Sequence, residues 1–238
     1  MIEFIAETGS TNADLLTRIR QGESIPAGYW LVCDRQTSGK GRQGREWSDA
    51  IGNFMGSTVV QLRGRESNPA SLALVAGLAV YETVFARLNV PSELNLKWPN
   101  DLMLAGGKLA GVLLEREGDA VVIGIGVNLA DAPRIAGRKT VSLGQFGPAP
   151  DRDTFAAELL VNFDTELARW RNFGLDPIIA RWLAAGHKEG SQLSVSVSEG
   201  SRVSGTFEGL EPDGALRLRL ADGSVRVMHA GEVAQEED

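Results

Sequence analysis

Apolar and polar positions along the chain follow two different periods, and the switches between them outline the elements. Ile2-Glu3-Phe4-Ile5 predicts a short strand, and Ala13-Asp14-Leu15-Leu16-Thr17-Arg18-Ile19 has helical spacing. Tyr29 to Cys33 and Phe54 to Leu62 read as strands. Asn68-Pro69 is a cap and first-turn pair for a helix through Leu88. Leu72, Leu74, Val75, Leu78, Val80, Val84 and Phe85 surround most of its circumference, which predicts an interior helix. Alternation from Leu94 to Trp98 predicts a strand, and Pro99-Asn100-Asp101 interrupts it. A second strand resumes to Leu104, Ala105-Gly106-Gly107 turns, and Lys108 to Glu115 returns as its partner.

Ala120 to Asn128 is almost continuously apolar and predicts a central strand. Gly124 and Gly126 share one face of it, where a ligand or another backbone would approach closely. Pro133 to Pro150 reads as a connection with a short strand at Thr140-Val141-Ser142-Leu143. Asp153 is the expected cap of a helix to about Phe173, and Asp176-Pro177 opens another that stops near Gly186. Beyond Gly190 the period becomes two. Leu193, Val195 and Val197 alternate with serines, Val203, Phe207 and Leu210 follow, and Leu216, Leu218 and Leu220 alternate again. Glu211-Pro212-Asp213-Gly214 and Asp222-Gly223 are turn signals. Short antiparallel strands in so few residues predict a small SH3-like barrel. The change of pattern between Gly186 and Gly190 predicts two domains, residues 1–187 and 188–238, with a frayed acidic tail at Glu236-Glu237-Asp238.

The net charge of −7 argues against a general nucleic-acid binder. The single cysteine, Cys33, excludes an intramolecular disulfide, and its apolar surroundings predict a core thiol. Two histidines far apart, His187 and His229, do not suggest a zinc site. No signal peptide or membrane-length apolar run is visible, so the expected location is the cytoplasm.

Against the acidic background, Gln36-Thr37-Ser38-Gly39-Lys40-Gly41-Arg42-Gln43-Gly44-Arg45-Glu46-Trp47 concentrates three glycines and three cations. Glycines allow close backbone approach, and guanidinium groups suit carboxylates and phosphates. The segment predicts a lid that closes over a small anion. Its Gly-x-Gly-x-x-Gly spacing also fits a dinucleotide fingerprint, but that motif must open a helix. Trp47-Ser48-Asp49 and Gly52-Asn53 supply turn chemistry instead. A kinase loop would need His-Arg-Asp and Asp-Phe-Gly partners, which are absent. Two further features stay open. Ser10, Thr11 and Asn12 can cap the first helix or bind a polar headgroup. Lys108, opening an apolar strand, can snorkel at a sheet edge or point into a site.

Ser10-Thr11-Asn12, the basic glycine loop ending at Trp47, Lys97-Trp98-Pro99-Asn100-Asp101 and Lys108-Leu109-Ala110-Gly111 follow one another in an order that resembles the biotin protein ligases. Gly124-Ile125-Gly126-Val127-Asn128 and the C-terminal barrel extend the resemblance over nearly the whole chain. It implies an α+β fold, a mixed sheet packed with helices as in class II aminoacyl-tRNA synthetases. It also implies an AMP-forming ligase that activates biotin as biotinyl-5′-AMP and transfers it to a lysine of a biotin carboxyl carrier domain. The alternatives are a lipoate–protein ligase, and a non-catalytic small-ligand-binding module of the same fold.

By this resemblance Lys108 and Arg42 are the catalytic cations. Ser10, Thr11, Asn12, Gln36, Lys40 and Gly41, with Arg42 and Lys108, bind biotin. Lys40, Arg42, Arg45, Trp47, Lys97, Asn100 and Asn128 bind ATP or the adenylate. Asp101 holds Mg²⁺, which ATP brings as its companion ion. The family's loop usually reads Gly-Arg-Gly-Arg-Arg-Gly-Arg. Lys40 keeps the charge without the planar fork, and Gln43 loses the charge. Only nine residues precede Ser10. A monofunctional type is therefore expected, without the winged-helix domain of bifunctional members and without DNA as a partner. A homodimer is compatible with such folds.

Overall fold

A computed structural model describes residues 1–48, 50–64, 66, 68–198 and 201–235. Asp49 of the expected turn and the acidic tail at Glu236-Glu237-Asp238 lie outside the described residues.

The main sheet contains β1 (Ile2–Thr8), β2 (Trp30–Gln36), β3 (Phe54–Gln61), β4 (Leu94–Lys97), β5 (Asp101–Leu104), β6 (Gly107–Glu117) and β7 (Ala120–Val127). Their order is β1-β2-β3-β7-β6-β5-β4. Among the described residues only β1 and β2 of these strands pair in parallel. A parallel pair needs a crossover, and α1 (Thr11–Arg20) supplies it. The long apolar strands read as continuous because alternate residues serve two cores. Leu31, Val59 and Val122 pack with Leu15 and Leu16 of α1 on one face. Val32, Val60, Val121 and Ile123 pack on the other with α2 (Leu72–Phe85), α3 (Arg152–Phe173) and α4 (Asp176–Ala185). The mixed α+β architecture is as expected.

Several local expectations are corrected. Asp151, not Asp153, caps α3, accepting from the Thr154 backbone N–H at 2.9 Å. Asp153 lies within the first turn, whereas the extended backbone at Asp151, just before it, lets that carboxylate reach forward to Thr154. Thr140–Leu143 is not a strand. Thr140 makes a single bridge to Lys108 before a 3₁₀ turn at Leu143–Gln145. Asn68 does accept from the Ala70 N–H, but a 3₁₀ turn at Pro69–Ser71 precedes α2. The helix stops at Phe85, whose ring is exposed rather than buried.

The C-terminal strands are β8 (Gln192–Ser198), β9 (Ser201–Leu210), β10 (Leu216–Arg219), β11 (Val225–Met228) and β12 (Glu232–Gln235). They form a five-stranded antiparallel sheet in the order β11-β10-β9-β8-β12. Among the described residues β11 and β12 stand at opposite edges, so the SH3-like unit is an open sheet rather than a closed barrel. Leu193, Val195, Phe207, Leu216 and Leu218 of this sheet join the larger core. Trp98 ties the two sheets together, its indole N–H donating to the Gly214 carbonyl at 3.1 Å.

His187 supports the same joint. Its Nε2 accepts the Trp98 backbone N–H at 3.2 Å, and its ring lies between those of Trp182 and Phe207. It is 6% exposed. Burial, assisted by the nearby Lys97 charge, lowers its pKa from 6.5 to about 4. The unfolded chain therefore binds a proton between those values that the native protein does not. Stability present above pH 6.5 is expected to fall as pH drops toward 4, by roughly 3 kcal/mol in total. His187→Gln, which can still accept from Trp98, removes this slope. Urea midpoints measured from pH 7 to pH 4 check it, and equal slopes for both proteins would refute it.

Candidate active site

On the α1 face the sheet is hollow where β6 and β7 carry glycines. Gly124 and Gly126 lie on the same face as Val122 but leave space above the strand. Asn12 fills part of it, since a Cβ on Gly124 would lie 3.0 Å from the Asn12 Cγ. The Trp47 indole covers Gly126, where a Cβ would come 2.8 Å from its Nε1. The close approach expected at these glycines is thus made by two side chains of the protein. A cavity of about 610 Å³ remains, lined by every residue expected to bind biotin or nucleotide and bounded at the C-terminal sheet by Glu232 and Val233.

One end of the cavity is a hydrogen-bonded chain. Ser10 caps α1, accepting weakly from the Ala13 N–H at 3.5 Å, and also lines the cavity. Gln36 Oε1 accepts from the Thr11 N–H at 2.9 Å. The Thr11 and Ser57 hydroxyls are 2.6 Å apart, and Ser57 donates to Asn12 Oδ1 at 2.6 Å. Asn12 Nδ2 donates to Glu115 at 2.8 Å. Ser57 and Glu115 escaped the sequence reading. Their signal was slight, a serine inside the apolar Phe54–Leu62 run and an acid closing the Lys108 strand.

The other end is cationic. Between β5 and β6 the register shifts, so that Leu102 pairs with Ala110 but Met103 pairs with Lys108. Leu109 is the extra residue of a bulge, which turns Lys108 onto the cavity face with Gly111. Lys108 Nζ then donates to Asp101 Oδ1 at 2.6 Å and lies 5.9 Å from the Trp47 ring centre. β6 is an interior strand, so Lys108 points into the site and does not snorkel at an edge. Arg42 Nη1 donates to Asn100 Oδ1 at 3.0 Å. Burial lowers the pKa values of both Arg42 and Lys97, against the opposing pull of Asp101. Two half-buried cations held at this cost are poised for an anion.

The glycine loop is a tight hairpin over this end. Lys40 bridges Glu46, Gly41 N–H bonds the Arg45 carbonyl at 2.7 Å, and Trp47 N–H bonds the Gly39 carbonyl at 2.9 Å. Gly44 has φ 71° and Gln43 φ 58°. Lys40 lines the cavity, whereas Gln43 lies outside it and accepts from Arg45. Of the two departures in the loop, Lys40 therefore lines the cavity and Gln43 does not. Arg45 reaches across to Glu232 at 2.9 Å, and Arg138 meets the same carboxylate at 2.6 Å. Burial alone would raise the Glu232 pKa, but the Arg45 hydrogen bond and the surrounding cations bring it below the usual carboxylate value. Neither Arg138 nor Glu232 was legible beforehand, because each lay in a stretch without a motif. Asn128 is 2% exposed, its Nδ2 donates to the Val141 carbonyl at 3.1 Å, and its Oδ1 is a buried acceptor without a partner among the described residues.

Among the described residues no three His, Cys, Asp or Glu side chains converge on a metal position. Mg²⁺ is commonly held by one or two carboxylates together with substrate phosphates. Asp101, at the phosphate-suited end, fits that limited donor set.

The site thus offers hydrogen-bonding side chains at one end and cations beneath a glycine hairpin at the other, chemistry suited to a small acid beside a second anion. The sequence pattern of the biotin/lipoate A/B protein ligase family matches residues 4–128, and that of the biotin protein ligase C-terminal domain matches residues 195–234. Among relatives, the biotin–[acetyl-CoA-carboxylase] ligase of Paracoccus denitrificans is 36% identical over 97% of this chain and 98% of its own. That of Mycobacterium tuberculosis is 36% identical over 98% and 88%. The biotin protein ligase of Aquifex aeolicus in complex with biotin and ATP superposes with a TM-score of 0.85 at 24% identity, covering 100% and 99% of the two chains. The chain belongs to the biotin/lipoate A/B protein ligase family.

Proposed function

We infer that the protein is an ATP-dependent biotin–protein ligase. It joins biotin to ATP as biotinyl-5′-AMP and transfers the biotinyl group to a lysine of a carboxylase's biotin carboxyl carrier domain. The observation that carries this reading is the two-ended cavity, with alternating donors and acceptors at one end and Lys108, Arg42 and Lys97 at the other.

In the first step a biotin carboxylate oxygen attacks the α-phosphorus and the bond to pyrophosphate breaks. Two anions must meet, so positive charge already in place lowers the barrier. Lys108 holds the carboxylate, and Arg42, with Lys40 and Arg45 on the same loop, neutralises the phosphate. Ser10, Thr11, Asn12 and Gln36 bind the ureido ring, which needs both donors and acceptors. Lys97 and Asn100 face the triphosphate, and Asn128 stands on the nucleotide side. Trp47 walls the nucleotide side. Asp101 and the phosphate oxygens would hold Mg²⁺, which supplies further charge neutralisation. In the second step a neutral lysine amine attacks the acyl carbon, forming the C–N bond. The C–O bond breaks with its electrons leaving on AMP, and the amine's proton passes to solvent. The glycine hairpin shields the anhydride from water. Among the described residues no helix is long and apolar enough to cross a membrane.

Lipoate has no ureido ring and would leave the Asn12–Ser57–Thr11–Gln36 chain facing an apolar group. Pyrophosphate release on mixing with MgATP and either acid separates the readings. Release with biotin alone is expected. Release with lipoate alone would transfer the protein to the other branch of the family, and silence with both would leave a binding module.

A further inference from the structure

A second cavity, of about 270 Å³, adjoins the first. Arg42, Asn100 and Val112 line both cavities. The Arg42–Asn100 hydrogen bond at 3.0 Å and the Asn100–Val112 hydrogen bond at 2.7 Å therefore form a partition between them. Leu74 and Leu114 give the second cavity an apolar wall that the first does not share. At its C-terminal side stand Asp213, 43% exposed, and His229, which also line the second cavity only.

We propose that this second cavity is the port through which the acceptor lysine reaches the activated acyl group. The idea rests on the ligase reading above. Biotinyl-AMP would occupy the first cavity beneath the glycine hairpin, so the amine needs another approach that does not unseal that hairpin. The apolar wall suits the methylene stem of a lysine, in the way long cationic side chains bury their stems.

The charges along the port run in a useful order. Asp213 at the outer side attracts the lysine as an ammonium. At the partition stands Arg42 and past it lie Lys97 and Lys108, and neighbouring cations disfavour a charged amine. The side chain thus enters as a cation and arrives as the neutral nucleophile that acyl transfer requires. The partition also gates the port. Without nucleotide Arg42 is held by an amide carbonyl, a weaker acceptor for guanidinium than a phosphate. Once the nucleotide α-phosphate, in ATP and then in the adenylate, draws Arg42 away from Asn100, the port opens onto the reacting group.

The test measures the two half-reactions separately in the full chain, with the biotin carboxyl carrier domain of an acetyl-CoA carboxylase as acceptor. Asp213→Asn keeps an oxygen for the Ala215 N–H, now 3.0 Å away, while removing the charge. It is expected to raise the carrier KM about three- to fivefold, an effect reduced by added salt, with kcat unchanged. Ala73→Trp fills the cavity from α2 and is expected to lower kcat/KM for transfer by about tenfold or more, as misplacement of a reacting group does. Biotin-dependent pyrophosphate release stays unchanged in both, which also shows that they fold. Unaltered transfer in both variants would overturn the port. So would pyrophosphate release falling together with transfer in Ala73→Trp, because the cavity would then belong to adenylation. Absence of biotin-dependent pyrophosphate release from the unsubstituted protein would instead overturn the ligase reading, and the port with it.

Discussion

Lys108→Ala is expected to lower the rate of biotin-dependent pyrophosphate release by about 10²- to 10³-fold, the range seen when one preorganised donor to developing charge is removed. Two effects combine. The first is loss of the cation against which the carboxylate and the forming acyl-phosphate are placed. The second is local, because Lys108 is the partner of Asp101 at 2.6 Å, and the two side chains are only 25% and 17% exposed. Without Lys108 that carboxylate adds uncompensated negative charge where two anions must already meet. Part of the loss should appear in the biotin KM, since the same ammonium binds the carboxylate in the ground state. Arginine is a poor substitute, because its wide planar fork replaces the compact point charge that meets Asp101 Oδ1 at 2.6 Å. A folded Lys108→Ala protein with near-normal pyrophosphate release would remove Lys108 from the mechanism.

Gly124→Ala is expected to weaken biotin binding by about 10- to 100-fold, corresponding to the roughly 1–3 kcal/mol of overpacking in a tight site. β7 is paired on both sides, with β3 and β6, and cannot retreat. The added methyl would overlap the Asn12 amide, so Asn12 must give way. Doing so breaks its bonds to both Ser57 and Glu115 and releases the rest of the chain to Gln36. At saturating biotin the rate should remain within a few-fold, because the cationic end is untouched. Calorimetric titration with biotin gives the affinity directly. An unchanged Kd would mean that the Asn12 network is structural only.

The expected loss of biotin affinity thus turns on a glycine that the sequence already marked, while its contact with Asn12 was not visible there. The same division runs through the molecule. The alternation of Leu31, Val32, Val59 and Val60 is local information, and it set which residues face each core before any contact was known. The glycines and cations of the glycine loop pointed to the cationic end in the same way, whereas Lys97 to Asp101 entered only through the resemblance. The helix cap at Asp151 shows the limit of such local reading, since two aspartates offered the same chemistry and backbone geometry chose between them. So does the open C-terminal sheet, whose strands were legible but whose edges were not.

What the sequence by itself determined was therefore the period of each segment, the faces it presents and the chemistry available on them. The tertiary structure alone decided which distant groups meet. The β6 bulge at Leu109 aimed Lys108 into the cavity, which no alternation of residues could specify, because a one-residue shift reverses the faces. Glu232 gathers Arg45 and Arg138 from far along the chain, and Ser57 closes the network from Thr11 to Asn12. Periodicity encodes direction relative to a residue's own strand or helix. Partnership depends on register and packing between segments, and these are fixed only when the whole sheet is assembled.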